Sequence, residues 1–311
     1  MKDRVGPSAS RVVVMTGATS GLGVHALQHL AHEPGTRIIV GARGSGRAVP
    51  AGVETLPLDL TSLASVRAFA AGLTRQLNGA PIDALVLNAG MQTTNSTQVS
   101  ADGFELTFAV NHLAHYLLVR LLLPLVADGG RIVITTSETH DPAMSPLAPK
   151  TFEPQTWARP RKEGFASGQR AYGASKLGNM LTARSLAAAG EVKGRGITVI
   201  AFSPGLTGGT GLGRDAPRAA RIILPLVMHT VFRVISIFRP HFAIGTPERA
   251  GQVLAQAASG TLTPPPGRIY MNVVRGNVAF PEPSKMALDN EIRDRMWNDS
   301  AAMVGLTNQP A

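Results

Sequence analysis

Tyr172 and Lys176 stand four residues apart in an apolar stretch, and Leu177, Leu181 and Leu186 follow at helix-like intervals. On a helix that spacing stacks phenol and ammonium on one face. An ammonium beside a phenol favours the phenolate, so Lys176 is expected to lower a pKa that otherwise lies near about 10. A tyrosine so poised can exchange a proton with a substrate oxygen near neutral pH. Most Tyr-xxx-Lys pairs are solvated helix faces, so the rest of the chain has to decide. Ser137 ends the β-branched run Arg131 to Thr136, and a strand-end serine beside a cleft is a strong site candidate. No Gly-x-Ser-x-Gly elbow surrounds it, which argues against a hydrolase nucleophile. Asn111 interrupts the long apolar stretch Leu106 to Val126, where an amide is disfavoured unless its side chain finds partners. His112 and His115 lack the i,i+4 spacing and the carboxylate of a helical metal pair, so no metal is expected and both read as supports.

The elements that must position these groups follow in order. Arg11 to Met15 is a β-branched run leading into Thr16-Gly17-Ala18-Thr19-Ser20-Gly21-Leu22-Gly23, and helical spacing resumes from Val24 to Ala31. Strand, glycine turn and helix in that order form a pyrophosphate cradle. Gly17 would permit the tight turn, Gly21 the approach of backbone to phosphate, and Gly23 close packing of helix on sheet, with helix N–H groups facing the anion. A second strand, Arg37 to Val40, ends at Gly41-Ala42-Arg43. An NAD site would carry an acid there, whereas arginine suits a 2′-phosphate, so Arg43, with Arg47 nearby, points to NADP(H) in preference to NAD(H). Asp59-Leu60 closes a third strand, with Asp59 placed to accept from an adenine amino group. Thr61 and Ser62 then offer a capping hydroxyl to the next helix. The strand Ile82 to Leu87 runs into Asn88-Ala89-Gly90, at the strand ends where ligands bind. Ile197 to Phe202 runs into Ser203-Pro204-Gly205, and Thr207 and Thr210 in the following loop could hold a carboxamide or phosphate.

Between Ser137 and Tyr172 lies a Pro-rich insertion, residues 138–171, too long for a simple turn and expected to fold over the cleft as a substrate wall. Residues 206–245 read as a substrate-loop and lid region. Within it, Ile222 to Phe238 is the most apolar stretch, flanked by arginines and interrupted by Pro225, His229 and Arg233. It is a poor bilayer span. It suits a lid over an apolar substrate, or a basic segment of 214–240 resting on a membrane surface. Thr246-Pro247-Glu248 opens a helix, a last strand covers Arg268 to Met271, and Ser284 to Met303 reads as one C-terminal helix.

Composition narrows the classes. The 311 residues carry 44% hydrophobic and 16% charged side chains, which suits a globular enzyme. With no cysteine, disulfides, thiolate metal sites and cysteine nucleophiles are excluded. The net charge of +10 is scattered without a recognition motif, so it reads as an arginine-rich surface and a preference for an anionic cofactor, not as nucleic-acid binding. Met1 to Ser10 does not read as a signal peptide, so a cytoplasmic location is expected, with membrane association through 214–240 as an addition. Self-association is left open.

Jointly, the glycine turn, Asp59, Asn88-Ala89-Gly90, Asn111, Ser137, Tyr172-x-x-x-Lys176 and Pro204-Gly205 resemble the short-chain dehydrogenase/reductase family along nearly the whole chain. The resemblance implies an α/β fold: one doubly wound Rossmann domain over 1–311, with a mostly parallel seven-stranded sheet flanked by helices. It implies Tyr172 as proton donor or acceptor, and Lys176 as lowering its pKa while holding the nicotinamide ribose. Ser137 would bond the substrate oxygen, and Asn111 would support a relaying water. Asp102 to Leu106 and Val110 to Leu118 look like retinol dehydrogenase-like enzymes and light-dependent protochlorophyllide reductases; Asp59 to Arg67 and Ser175 to Leu181 look more like the latter. Those photoenzymes are associated with a functional cysteine that this chain lacks, so a dark reaction is expected. The reading is an NADP(H)-dependent carbonyl–alcohol oxidoreductase acting on a sizeable apolar substrate. Its rivals are a C=C reductase and a non-catalytic NADP sensor on the same fold.

Overall fold

The computed structural model describes residues 11–44, 49–161, 164, 166–207 and 244–307. Arg47, Thr210 and the apolar stretch Ile222 to Phe238 lie outside them. The first strand, β1 (Arg11–Thr16), is apolar on both faces: Val12 and Val14 enter one core layer, Val13 and Met15 the other. A strand without polar alternation must be covered on both sides, which a parallel sheet with crossover helices achieves. It pairs in parallel with β2 (Thr36–Ala42) on one side and β4 (Ile82–Leu87) on the other, and β3 (Glu54–Pro57) lies beyond β2. The chain then continues outward through β5 (Val126–Thr135), β6 (Thr198–Ser203) and β7 (Tyr270–Val274). The order β3-β2-β1-β4-β5-β6-β7 therefore reverses direction between β1 and β4, the switch point where such sheets bind ligands.

The expected seven strands become eight among the described residues. The addition, β8 (Asn277–Ala279), runs antiparallel to β7 through Arg275 and Gly276, both at positive φ (53° and 76°). A two-residue hairpin turn demands that pair of conformations, usually signalled by Asn-Gly or Asp-Gly; arginine in the first place hides it.

Helix α1 (Leu22–Ala31) and the Pro247–Ser259 helix cover one face of the sheet. On the latter helix Thr246 accepts from the Arg249 N–H and Pro247 opens the first turn, as expected. The opposite face is covered by α2 (Leu63–Leu77), α3 (Leu106–Leu125) and the C-terminal helices. Helix α3 is long and apolar enough to cross a membrane, but 83% of its apolar window is buried, which makes it the core helix of this layer. Its middle, Ala109–Leu113, widens into a π-helical turn around Asn111. The sequence concealed both this turn and the break in the C-terminal helix. Residues Lys285–Leu288 and Asn290–Met303 are separate helices because the Asp289 carboxylate accepts from the Glu291 and Ile292 N–H groups and caps the second. Trp297 on that helix packs edge-on against Tyr116 of α3 (5.0 Å), whose hydroxyl donates to the Trp297 carbonyl.

The insertion 138–171 forms a short 3-10 turn (Glu138–His140) and helix α4 (Pro154–Trp157), with Phe152 and Ala158 sunk into the core. It delivers the chain to α5 (Ser167–Ala188), which carries Tyr172 and Lys176. Three glycines let α5 approach its surroundings at backbone distance. A Cβ on Gly168 would fall 2.0 Å from the Thr93 carbonyl oxygen, on Gly173 2.9 Å from that of Thr139, and on Gly178 2.8 Å from the His112 ring. Helix propensity alone would reward Gly168→Ala by about 1 kcal/mol. Because backbone faces the new methyl, the clash wins, and a net destabilisation of about 1–3 kcal/mol is expected in urea unfolding. An unchanged or raised midpoint would contradict this packing.

Candidate functional site

A cleft of about 650 Å³ runs along the carboxyl ends of the strands at the switch point. One end is built from the glycine turn after β1. Gly17 has φ +67° and lies so close to the β4 loop that a Cβ would meet the Ala89 Cα at 2.5 Å. Gly21, φ 56°, is the N-cap of α1; no side chain caps that helix, and its first residues Gly21 and Leu22 line the cleft. Thr19, Ser20, Gly21 and Leu22 line this end; Gly23 lies behind, where its Cβ would sit 1.9 Å from the Gly17 carbonyl oxygen. Arg43 lines the cleft beyond β2, and Asp59 and Leu60 line it beyond β3, where Asp59 Oδ1 also accepts from the Thr61 N–H (3.0 Å). Asn88, Ala89 and Gly90 form the floor, and Pro204, Gly205 and Thr207 close the far side, with the Thr207 hydroxyl donating to the Pro204 carbonyl. A glycine-lined backbone, open helix N–H groups, an arginine and a carboxylate in one trough fit an extended, anionic dinucleotide.

The other end holds the candidate reactive groups. Ser137, Tyr172 and Lys176 line it together, and the Ser137 side chain favours the Tyr172 phenolate. Lys176 Nζ lies 5.5 Å from the Tyr172 ring centroid and donates to the Thr135 carbonyl at 3.1 Å. One electrostatic expectation is corrected. Burial raises the Tyr172 phenol to about 12, opposed by the Ser137 hydrogen bond, and burial lowers Lys176 to about 8. The ammonium bonds a backbone carbonyl, and the cost of burying a phenolate is the larger effect.

Asn111 stands one layer behind the cleft. Its Oδ1 accepts from the Met91 N–H (2.8 Å), and its Nδ2 donates to the Met91 carbonyl (2.9 Å) and to Ser175 Oγ (3.0 Å). Both amide hydrogens are thereby used on protein. These bonds belong to a wider circuit. Ser175 donates to the Tyr172 carbonyl, and the Thr135 carbonyl also accepts from Asn179 Nδ2 (3.0 Å). The Thr135 hydroxyl donates to Asn88 Oδ1 (3.0 Å), and Asn88 Nδ2 donates to the Gly17 carbonyl (3.1 Å). Thr16 Oγ1 accepts from the Asn88 and Ala89 N–H groups and meets His115 Nε2 at 3.0 Å. The sequence reading missed Thr16, Thr135 and Ser175 as site supports. Their one signal is position, at the last residue of β1, the last of β5 and the residue before Lys176. His112 and His115 are supports, as read: His112 Nε2 reaches Ser300 Oγ at 2.8 Å and anchors the C-terminal helix. Burial pulls the two imidazoles down to about 3 and about 4. Among the described residues no cluster of ligating side chains could hold a metal. The substrate end is walled by Met91, Val110, Met144, Pro146, Leu147 and Leu206, of which Met144 to Leu147 come from the insertion.

The family pattern for short chain dehydrogenases matches residues 11–145. Retinol dehydrogenase 14 of Mus musculus is 30% identical over 95% of this chain and 86% of its own length. Protochlorophyllide reductase B of Oryza sativa subsp. japonica is also 30% identical, over 95% of this chain and 77% of its own length. Among solved structures, an uncharacterised protein of Mycobacterium paratuberculosis superposes with a TM-score of 0.66 at 27% identity, covering 96% of this chain and 94% of that one.

The buried pair has a consequence for stability without added cofactor. The folded state releases the Lys176 proton near pH 8 and the unfolded state near 10.5. Between those values the unfolded chain binds more protons, so stability should rise from about pH 8 to about 10. Above that, Tyr172 reverses the trend, because the unfolded phenol ionises near 10 and the folded one near 12. Lys176→Met is expected to remove the rise, measured as denaturant midpoint against pH. A wild-type profile flat from about pH 8 to 10 would count against the burial of a chargeable amine.

Proposed function

Because the chain belongs to the short-chain dehydrogenase/reductase family, we propose that it is an NADP(H)-dependent oxidoreductase interconverting a carbonyl and an alcohol on a sizeable apolar substrate. The observation that carries this reading is the convergence of the Tyr172 and Ser137 hydroxyls at the closed end of the trough, with Lys176 behind them. When bound, a nicotinamide cofactor supplies hydride to, or takes it from, the carbon bearing the substrate oxygen. The protein's part is proton transfer and positioning. Tyr172, neutral at physiological pH, gives its proton to the developing alkoxide in the reducing direction. Ser137 donates to the same oxygen, and the Lys176 charge 5.5 Å from the ring favours the resulting phenolate. Asn111 holds the Met91 loop and the Tyr172–Lys176 helix in register.

Specificity follows from the two ends of the cleft. Arg43 is the cation expected on a ribose 2′-phosphate, with Gly17 to Gly23, Asp59, Leu60, Asn88 to Gly90, Lys176 and the 204–210 loop holding the remainder. The methionine- and leucine-lined wall of the insertion supports an apolar substrate, in keeping with the retinol named for one relative. The reading includes residues 206–245 as a lid on a single domain, in the cytoplasm, with 214–240 touching a membrane from which an apolar substrate could be drawn. The likeness to protochlorophyllide reductase B supports the second reading, reduction of a C=C bond.

Tyr172→Phe is expected to lower turnover by about 10²–10⁴-fold while NADPH binding, followed by its fluorescence, stays nearly intact. Retained activity against a panel of apolar aldehydes, ketones and enones would refute the role. Arg43→Ala should weaken NADPH binding by about 10–100-fold and leave NADH almost unchanged. Equal losses for both cofactors would remove Arg43 from the 2′-phosphate.

A further inference from the structure

His115 is 2% exposed, touches the cleft nowhere, and yet both of its ring nitrogens are engaged by the site. Nδ1 lies 3.1 Å from the carbonyl oxygen of Asn111, inside the π-turn, and Nε2 lies 3.0 Å from Thr16 Oγ1, at the start of the glycine turn. A carbonyl oxygen only accepts, so the proton sits on Nδ1. A neutral ring then presents a lone pair at Nε2, and the Thr16 hydroxyl must donate to it. That direction leaves both lone pairs of Thr16 Oγ1 for the two N–H groups that point at it, Asn88 at 3.0 Å and Ala89 at 3.1 Å. With the proton on Nε2, three donors would crowd one hydroxyl oxygen and the bare Nδ1 lone pair would face the Asn111 carbonyl oxygen. One tautomer satisfies every group, and the other strands buried polar atoms.

We propose that His115 is a positioning residue of this site, acting as a neutral Nδ1–H imidazole that fixes the glycine turn and the Asn88–Gly90 loop relative to the Asn111 turn. Cofactor cradle and proton-transfer helix are formed by segments far apart in sequence. Thr16 holds the cradle to the floor of the cleft, and Asn111 holds Met91 and Ser175 of the catalytic helix. His115 joins the two. A second proton on the ring would place N–H on Nε2 and turn the Thr16 hydroxyl away. The charged group facing it is Lys176, and the titratable neighbour on its own helix is His112. Burial and the Lys176 charge both keep the ring neutral.

The tautomer is read directly on the wild-type chain by ¹⁵N NMR of labelled histidine, without cofactor. The expected signature is a protonated Nδ1 and a bare Nε2 from about pH 8 down to about 5. An Nε2–H or doubly protonated ring at neutral pH overturns the proposal, whether or not any variant folds. Two substitutions separate the links, because a glutamine amide reaches the Nε2 position and an asparagine amide the Nδ1 position. His115→Gln, keeping an acceptor for Thr16, should lose mainly kcat, about ten-fold, and His115→Asn should lose mainly NADPH affinity, about ten-fold by fluorescence titration. Folded variants that lose both quantities equally, or neither, reduce His115 to packing and overturn the proposal. The kcat arm rests on the oxidoreductase reading. Should that reading fail, the wild type would turn nothing over while the tautomer and the NADPH titration would still answer for His115.

Discussion

The carbonyl oxygen of Thr135 is the acceptor on which the reactive end depends. An ammonium placed 2% exposed needs a fixed partner, and this oxygen takes hydrogen bonds from both Lys176 and Asn179 at the strand end. Because the partner is backbone of a strand end paired in parallel with β6, it cannot rotate away, so Lys176 is held by the sheet itself. The same residue's hydroxyl reaches Asn88, which reaches Gly17. A single threonine thus fixes the amine and, through one amide, the tight turn of the cradle. Buried polar circuits of this kind specify a unique arrangement only when every member is satisfied.

Burial also sets the electrostatic state from which chemistry starts. A phenol at about 12 beside an amine at about 8 holds its proton firmly at neutral pH. With protein groups alone Tyr172 is therefore a neutral phenol, and a phenolate there would need added positive potential in the trough.

How much of this was legible in the sequence varied with the physics involved. Strand, glycine turn and helix at residues 11–31 were readable because local periodicity and the glycines point to the same structure. Ser137 and Tyr172 could be named but not placed, since the 34 residues between them fold largely as an irregular wall without period. The hairpin at Arg275-Gly276 escaped because its turn lacks the usual residues, and the break at Asp289 because a capping carboxylate inside a helical pattern looks like a surface charge. The lowered tyrosine pKa failed for a different reason. Spacing reports that two groups are neighbours, whereas desolvation depends on everything packed around them. His115 was legible only as an anomaly, because its partners are 4 and 99 positions away.

The three glycines of α5, the helix that carries Tyr172, have a mechanical consequence. Five residues advance an α-helix by about 140° of rotation, so Gly168, Gly173 and Gly178 face three different directions around it. Backbone of the 93 loop, backbone of the 139 loop and the His112 ring close on the helix from those sides, like the jaws of a chuck. A shaft gripped around its circumference can neither roll nor slide. The wall at Met144 to Leu147 is outside that grip, so its side chains can be exchanged to admit differently shaped molecules while the Tyr172 hydroxyl keeps its aim.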